Sequence, residues 1–155
     1  MSDSEYLGPR PAALVESLRA FPYSTPSAVA DLIDNSIAAN ASVIRIFTSW
    51  NEGNPVIELV DDGDGMSESQ LIEALRFAGA GPSSERGPQD LGRFGLGLKT
   101  ASLSQCSRMT VTTIKDGAIS NMGWDVDELK VSGKWIPCKS SAQVIKDHKD
   151  LLENR

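Results

Sequence analysis

The feature that most constrains the fold of this chain is a change of hydrophobic period close to residue 41. Before it, apolar residues recur at helical spacing, which predicts a helix from Pro11 and a second helix to about Asn40. Thr25 is the predicted N-cap of the second helix, and Pro26 is its predicted first residue. After it, β-branched residues predict strands over Ser42–Phe47 and Val56–Val60. Helices and paired strands that segregate in this way favour an α+β fold, with one mixed, mostly antiparallel sheet and helices on one face.

The remainder of the chain continues this division. Ser67 and Gln70 form a capping-box pattern, which predicts a helix that begins after Ser67 and ends at Gly79. Four further elements are predicted: a helix over Gly97–Gln105, strands over Arg108–Ile114 and Ala118–Val126 joined by a turn at Lys115-Asp116-Gly117, and a helix over Ala142–Leu152.

Length and composition set limits on organisation and function. The 155 residues fit a single domain, in which we expect the polar residues 1–9 to be frayed. The net charge of -6 argues against a module that grips nucleic acid directly. Two cysteines and one histidine are too few for a disulfide framework or a zinc site. No signal peptide or membrane span is visible, so we expect a cytoplasmic protein with no membrane partner.

The first group of polar residues lies within the second predicted helix. Asp31 and Asn35 are four residues apart and share one helical face. The predicted buried stripe of the same helix lies elsewhere and consists of Val29, Leu32, Ile33, Ser36 and Ile37. An amide oxygen suits a hard cation such as Mg²⁺, and a carboxylate one turn earlier can accept a proton from water. A solvated polar helix face is the alternative interpretation.

The second group, Asp61-Asp62-Gly63-Asp64-Gly65-Met66, follows an apolar strand. Asp-Gly repeats form turns, and glycine lets the backbone approach a ligand closely. A carboxylate at the strand end could accept a hydrogen bond from an exocyclic amine. The alternatives are a calcium loop, although the EF-hand pattern is incomplete, and a plain connection from strand to helix.

The third group, Gly92-Arg93-Phe94-Gly95-Leu96-Gly97-Leu98-Lys99-Thr100, precedes a predicted helix. Glycines before a helix N-terminus expose N–H groups, and the helix dipole favours an anion there. The spacing is neither that of a P-loop nor that of a dinucleotide-binding strand–loop–helix unit. A flexible connector is the alternative.

The three groups in this order resemble the GHKL ATPases, which include gyrase B subunits, heat-shock chaperones of the Hsp-ninety kind, sensor histidine kinases and MutL. The resemblance covers about residues 24–126, and within the superfamily the motifs look most like the MORC-type ATPases and their bacterial relatives. It implies a Bergerat two-layer α/β sandwich that binds ATP and Mg²⁺. Residues 79–98 would then be the ATP lid and the phosphate loop, with the lid over 79–94.

The resemblance also implies roles for individual residues. Asn35 would coordinate Mg²⁺, Asp61 would bind the adenine amino group, Gly65 would leave room for the base, and Met66 would pack beside it. Thr113 is the candidate for the threonine that relatives place against the adenine, although it lies on a hairpin before the expected strand. The residues that would surround the phosphates are Gly92, Arg93, Phe94, Gly95, Leu96, Gly97, Leu98 and Lys99.

The sequence departs from the family pattern in three places. Asp31 stands where hydrolysing members carry a glutamate, and its shorter side chain predicts slow hydrolysis. Ala38 replaces an aspartate that many relatives carry near the metal. We expect one nucleotide-binding domain over 1–155, truncated before the last strand of the family's sheet and without the downstream transducer domain.

The resemblance therefore predicts an ATP-binding domain that hydrolyses ATP slowly and closes its lid over the nucleotide. Its expected partners are a downstream transducer domain or protein, or a second copy in an ATP-dependent dimer. A nucleotide-sensing module without hydrolysis is one alternative. A histidine-kinase-type catalytic domain is another, but the helical hairpin that would carry the target histidine does not precede the fold.

Overall fold

The computed structural model describes residues 10–77, 97–140 and 145–146. Within these ranges the chain forms an α+β fold, as the hydrophobic pattern predicts. The elements are α1 (Pro11–Ala20), α2 (Thr25–Ala38), β1 (Ile44–Ser49), β2 (Val56–Asp61), α3 (Glu68–Leu75), α4 (Gly97–Gln105), β3 (Arg108–Lys115), β4 (Ala118–Asp125) and α5 (Val126–Ser132).

The strands form two separate antiparallel pairs, β1 with β2 and β3 with β4. The prediction of one mixed sheet therefore differs from what the described strands form. The β3–β4 pair closes at Asp116 and Gly117, both with positive φ, as a two-residue hairpin requires. The two pairs approach each other where the turn after β2 meets β3, since the Met66 N–H donates to Thr113 Oγ1 over 2.7 Å.

Two of the described helices begin at serine caps. Ser67 and Gln70 form the predicted capping box at the start of α3. The cap of α2 is Ser24, whose hydroxyl accepts the Ser27 N–H, so the prediction of Thr25 as the cap is wrong by one residue. Thr25 is instead the first helical residue, and its hydroxyl donates to a glutamine on α4.

The boundaries that differ most from prediction are set by distant side chains. α3 ends at Leu75, before the predicted Gly79, because the last carbonyls of the helix accept bonds from Lys99 and Trp124. β1 begins at Ile44, later than the predicted Ser42, because the N–H groups of residues 42 and 43 donate to the Asp62 carboxylate.

The hydrophobic core lies between the helices and the β3–β4 pair. It is formed by Val15, Leu71, Leu75, Leu103, Met109, Met122, Trp124, Val126 and Leu129. Phe77 and Trp135 pack against this core with ring centroids 4.4 Å apart. α2 lies at the edge of the core: Ile37, predicted in its buried stripe, is 52% exposed, and Ala28 is buried instead. The core therefore anchors α3, α4 and α5 more firmly than the outer end of α2.

Several sequence predictions lie outside the described residues. These are the frayed segment 1–9, the lid over 79–94, and the helix over 142–152 except for residues 145–146, which are helical. No helix among the described residues is long and apolar enough to cross a membrane. Cys106 and Cys138 are free thiols, and burial raises the pKa of both, so they stay protonated at neutral pH.

Candidate functional site

The candidate site lies where α2 meets the turn that follows β2. Ser36 is buried in α2, and its hydroxyl donates to Asp61 Oδ2 over 2.8 Å. The Gly63 N–H donates to the other oxygen, Asp61 Oδ1, over 2.9 Å. The carboxylate at the end of β2 is therefore held between a helix and its own turn, at a fixed position beside α2.

The other carboxylates of the turn have structural partners. Asp62 accepts the N–H groups of Ser42 and Val43, which fixes the start of β1. Asp64 accepts the Asn40 amide over 2.7 Å, which fixes the turn to the end of α2. The described residues contain no group of three or more acidic, cysteine or histidine side chains that could hold a metal.

Gly65 lies in the tightest part of the turn. Its φ of 65° favours glycine, and a Cβ atom at this position would lie 2.1 Å from the Ile114 carbonyl oxygen and 3.2 Å from Thr113 Oγ1. A side chain here would therefore collide with β3. This close approach to β3 is sufficient to explain why residue 65 is a glycine. That Gly65 also leaves room for adenine remains a prediction.

Thr113 joins the site from β3. Its side chain is 6% exposed, and its hydroxyl accepts the Met66 N–H. Met66 itself is half-buried against the core. The structure thus brings Asp61, Gly65, Met66 and Thr113 together, although the sequence placed Thr113 before the position expected in relatives.

The face of α2 that carries Asp31 and Asn35 is accessible. Asn35 is exposed, and no described residue forms a hydrogen bond with its amide. Asp31 is half-buried, and its Oδ2 accepts the Tyr23 hydroxyl. This bond, followed by burial and the negative charge of Asp31, raises the pKa of Tyr23 to about 12. The phenol is therefore protonated and remains a donor at neutral pH.

The phosphate-loop prediction is only partly within the described residues. Gly92, Arg93, Phe94, Gly95 and Leu96 lie outside them. Gly97 begins α4, which packs against α2, and Leu98 is half-buried against the core.

Lys99 is 2% exposed and is directed towards the end of α3. Its ammonium donates to the Ala74 and Arg76 carbonyl oxygens over 2.9 and 2.8 Å. It also lies 5.7 Å from the centre of the Phe77 ring. In this arrangement Lys99 satisfies helix-end carbonyls, and its assignment to the phosphates remains a prediction.

Two residues of the site were not singled out for these roles by the sequence. Ser36 was assigned to the apolar stripe, and a buried hydroxyl in such a stripe is a signal that it has a polar partner. Tyr23 lies before α2, outside the helical pattern. Helical periodicity therefore does not predict which side chain Tyr23 contacts.

Comparisons with known proteins find one family model and several relatives that are similar to this chain. The family model described as "Histidine kinase-, DNA gyrase B-, and HSP90-like ATPase" matches residues 23–155. The chain is 29% identical over 118 residues to "ATPase morc-1" of Caenorhabditis elegans, which covers 74% of this chain and 14% of that protein.

Two bacterial proteins named "DNA mismatch repair protein MutL" are also similar. The protein of Coxiella burnetii is 36% identical over 105 residues, which covers 66% of this chain and 18% of that protein. The protein of Dictyoglomus thermophilum is 31% identical over 127 residues, which covers 78% of this chain and 21% of that protein. The chain therefore spans between 14% and 21% of the length of these relatives.

Proposed function

The chain belongs to the family of histidine kinase-, DNA gyrase B- and HSP90-like ATPases, and we propose that it binds ATP with Mg²⁺ and hydrolyses it slowly. One observation carries the proposal: the bond from Ser36 to Asp61 joins the helix of Asp31 and Asn35 to the Asp-Gly turn. The first two sequence groups therefore lie in one region of the fold. The helix α4, which follows the third group, packs against α2.

On the base side, Asp61 is the proposed acceptor for the adenine amino group. Ser36 and the Gly63 N–H already hold the two oxygens of this carboxylate, so its orientation costs little when a ligand arrives. Met66 and Thr113 lie beside the turn and would form the neighbouring wall. The proposal assigns recognition of adenine to this end of the site.

The residues present fit a Mg²⁺ ion that is shared with phosphates. Asn35 offers an exposed amide oxygen, and Mg²⁺ commonly takes one or two protein ligands together with phosphate oxygens and water. The described residues do not group three acidic or histidine side chains, so they do not offer a cage for a resident metal. When bound with ATP, Mg²⁺ would neutralise charge on the phosphates.

The phosphates are assigned to the N-terminal end of α4. The helix begins at Gly97, and free N–H groups and the helix dipole favour an anion at such an end. From the sequence pattern, we also assign Gly92 and Gly95 to contacts with the phosphates. The proposal includes a lid over 79–94 that closes over the nucleotide.

For hydrolysis, we assign Asp31 as the general base. A water oxygen would attack the γ-phosphorus, the bond from that phosphorus to the bridging oxygen of ADP would break, and Asp31 would accept the water proton. Asp31 lies one helical turn before Asn35, on the same face of α2. Its reach is shorter than that of glutamate, so the expected rate is low.

A thermal-shift measurement tests nucleotide binding. Ligand at about 100 times its Kd stabilises a native state by about 2.7 kcal/mol, so ATP with Mg²⁺ should raise the melting temperature clearly. Asp61→Asn keeps the size of the side chain and should remove most of the shift, because an amide presents a weaker acceptor to the base amine. Asp127→Asn, the same change at an exposed position on α5, is the matched control. No shift in the unaltered chain would overturn ATP binding.

Phosphate release tests hydrolysis separately from binding. We expect a slow rate above the blank, its loss in Asp31→Ala, and a faster rate in Asp31→Glu, whose carboxylate reaches further towards the water. A rate that Asp31→Ala leaves unchanged would overturn the assignment of the base. ATP binding with no phosphate release would identify a nucleotide-sensing module instead.

The wider setting of the domain is also a proposal. We expect nucleotide binding to alter association with a transducer domain, a partner protein or a second copy of the chain. We place the protein in the cytoplasm, in keeping with its two free thiols.

A further inference from the structure

A side chain from the segment between α1 and α2 contacts Asp31, the proposed general base. Tyr23 lies between α1 and the α2 cap, and its hydroxyl donates to Asp31 Oδ2, eight residues further along the chain. Among the described residues, no other side chain or N–H group donates to Asp31. Within the described ranges, one phenol therefore holds the rotation of this carboxylate.

The backbone of Tyr23 is itself fixed to α4. The Gln105 amide donates to the Tyr23 carbonyl oxygen over 2.6 Å, and Gln105 Oε1 accepts the Thr25 hydroxyl over 2.7 Å. Gln105 is the last residue of α4, whose first residue is Gly97. The helix proposed to meet the phosphates thus also supports the connection that holds Asp31.

We propose that Tyr23 is a positioning residue for ATP hydrolysis, which holds Oδ2 of Asp31 and leaves Oδ1 to accept the proton of the attacking water. This inference rests on the proposed function. Proton transfer needs the base within about 2.6–3.2 Å of the water oxygen, directly or through one water. An aspartate in place of glutamate has less reach, so an incorrect rotation of its carboxylate is harder to compensate.

The ionisation of Tyr23 tests the bond without any turnover. The chain has two tyrosines, so Tyr6→Phe leaves Tyr23 as the single phenol. With the pKa of Tyr23 at about 12, about a tenth of it should be phenolate at pH 11, against about nine-tenths for a free tyrosine. In Asp31→Ala the phenolate absorbance at pH 11 should rise towards the free value, with circular dichroism checking that both variants stay folded. Equal absorbance in the two folded variants would overturn the bond.

Turnover tests the positioning role. Tyr23→Phe removes only the hydroxyl and should lower kcat about tenfold, since small misplacements of reacting groups can cost up to about a hundredfold. The Kd for ATP with Mg²⁺ should stay within about twofold, because Tyr23 donates to Asp31 and not to Asp61 or Asn35, the proposed ligands of adenine and Mg²⁺. Adding Tyr23→Phe to Asp31→Ala should lower the rate no further, since both changes disable one unit. Ser17→Ala, which removes an exposed hydroxyl from α1, is the control.

The outcomes separate this inference from the proposed function. An unaltered rate, or a faster one, in folded Tyr23→Phe would overturn the role of Tyr23 and leave hydrolysis by Asp31 in place. ATP binding without phosphate release in the unaltered chain would overturn both hydrolysis and the role of Tyr23. A fall in kcat accompanied by an equal loss of ATP affinity would also overturn it, because it would indicate a general distortion of the site.

Discussion

At the scale of single residues, Gly65 is a position where the backbone geometry disfavours any side chain. A side chain at Gly65 would be unfavourable for two reasons. The φ of 65° strains the backbone of other residues, and a Cβ atom would lie 2.1 Å from the Ile114 carbonyl oxygen. Gly133 provides a matched comparison, because its φ is 62° but nothing lies within 4 Å of its hypothetical Cβ.

We expect Gly65→Ala to lower the free energy of unfolding by about 2–4 kcal/mol, through backbone strain and a clash with β3. Gly133→Ala should cost only about 1–2 kcal/mol, since strain acts alone there. Urea unfolding of both variants measures the difference. Equal losses would mean that the approach of the turn to β3 carries no energetic weight.

At the scale of elements, the junction of α3 and α4 depends on Lys99. A charged donor to two helix-end carbonyls contributes more than a neutral hydrogen bond does, and both carbonyls lose this partner if the ammonium is removed. Lys130 is a suitable contrast, because it is more exposed and lies 3.7 Å from a Glu16 carboxylate oxygen at the surface.

Lys99→Met should lower the free energy of unfolding by about 1–3 kcal/mol in the absence of nucleotide. Lys130→Met should change it by no more than about 1 kcal/mol, as is usual for surface ion pairs. Thermal or urea unfolding without ATP checks both. A Lys99→Met variant of unchanged stability but weaker ATP affinity would instead favour the role at the phosphates that the sequence predicts.

At the scale of the whole molecule, charge bears on how ATP is held. The chain carries a net charge of -6, so a general positive field cannot attract the triphosphate. The proposed binding would therefore rely on local groups such as the amides at the start of α4, Asn35 with Mg²⁺, and the glycine-rich segment before Gly97.

Local binding predicts a weak dependence on salt. With Mg²⁺ saturating, the Kd for ATP should change less than about threefold between about 0.05 and 0.3 M salt, because no long-range attraction is there to be screened. Isothermal calorimetry over this range provides the measurement. A steep loss of affinity with salt would instead indicate long-range attraction of ATP by a basic surface.

The sequence by itself determined most of the elements and the order of the chemical groups. Helical spacing, the capping box at Ser67 and the Asp116-Gly117 turn depend on neighbours within a few residues, which is why they could be predicted. α5 was missed even though its signals are local: Asp125 caps it and Gly133, with φ of 62°, ends it. The motif order was also sufficient to indicate the family.

Only the tertiary structure decided which partner each polar group takes. Ser36 meets Asp61, Tyr23 meets Asp31, and Lys99 meets the end of α3, across separations of 25, 8 and 25 residues. The separation of the strands into two pairs was decided at the same level. Periodicity reports which face of an element is apolar, whereas these bonds depend on how distant elements pack, and a buried polar group takes whichever partner that packing brings within reach.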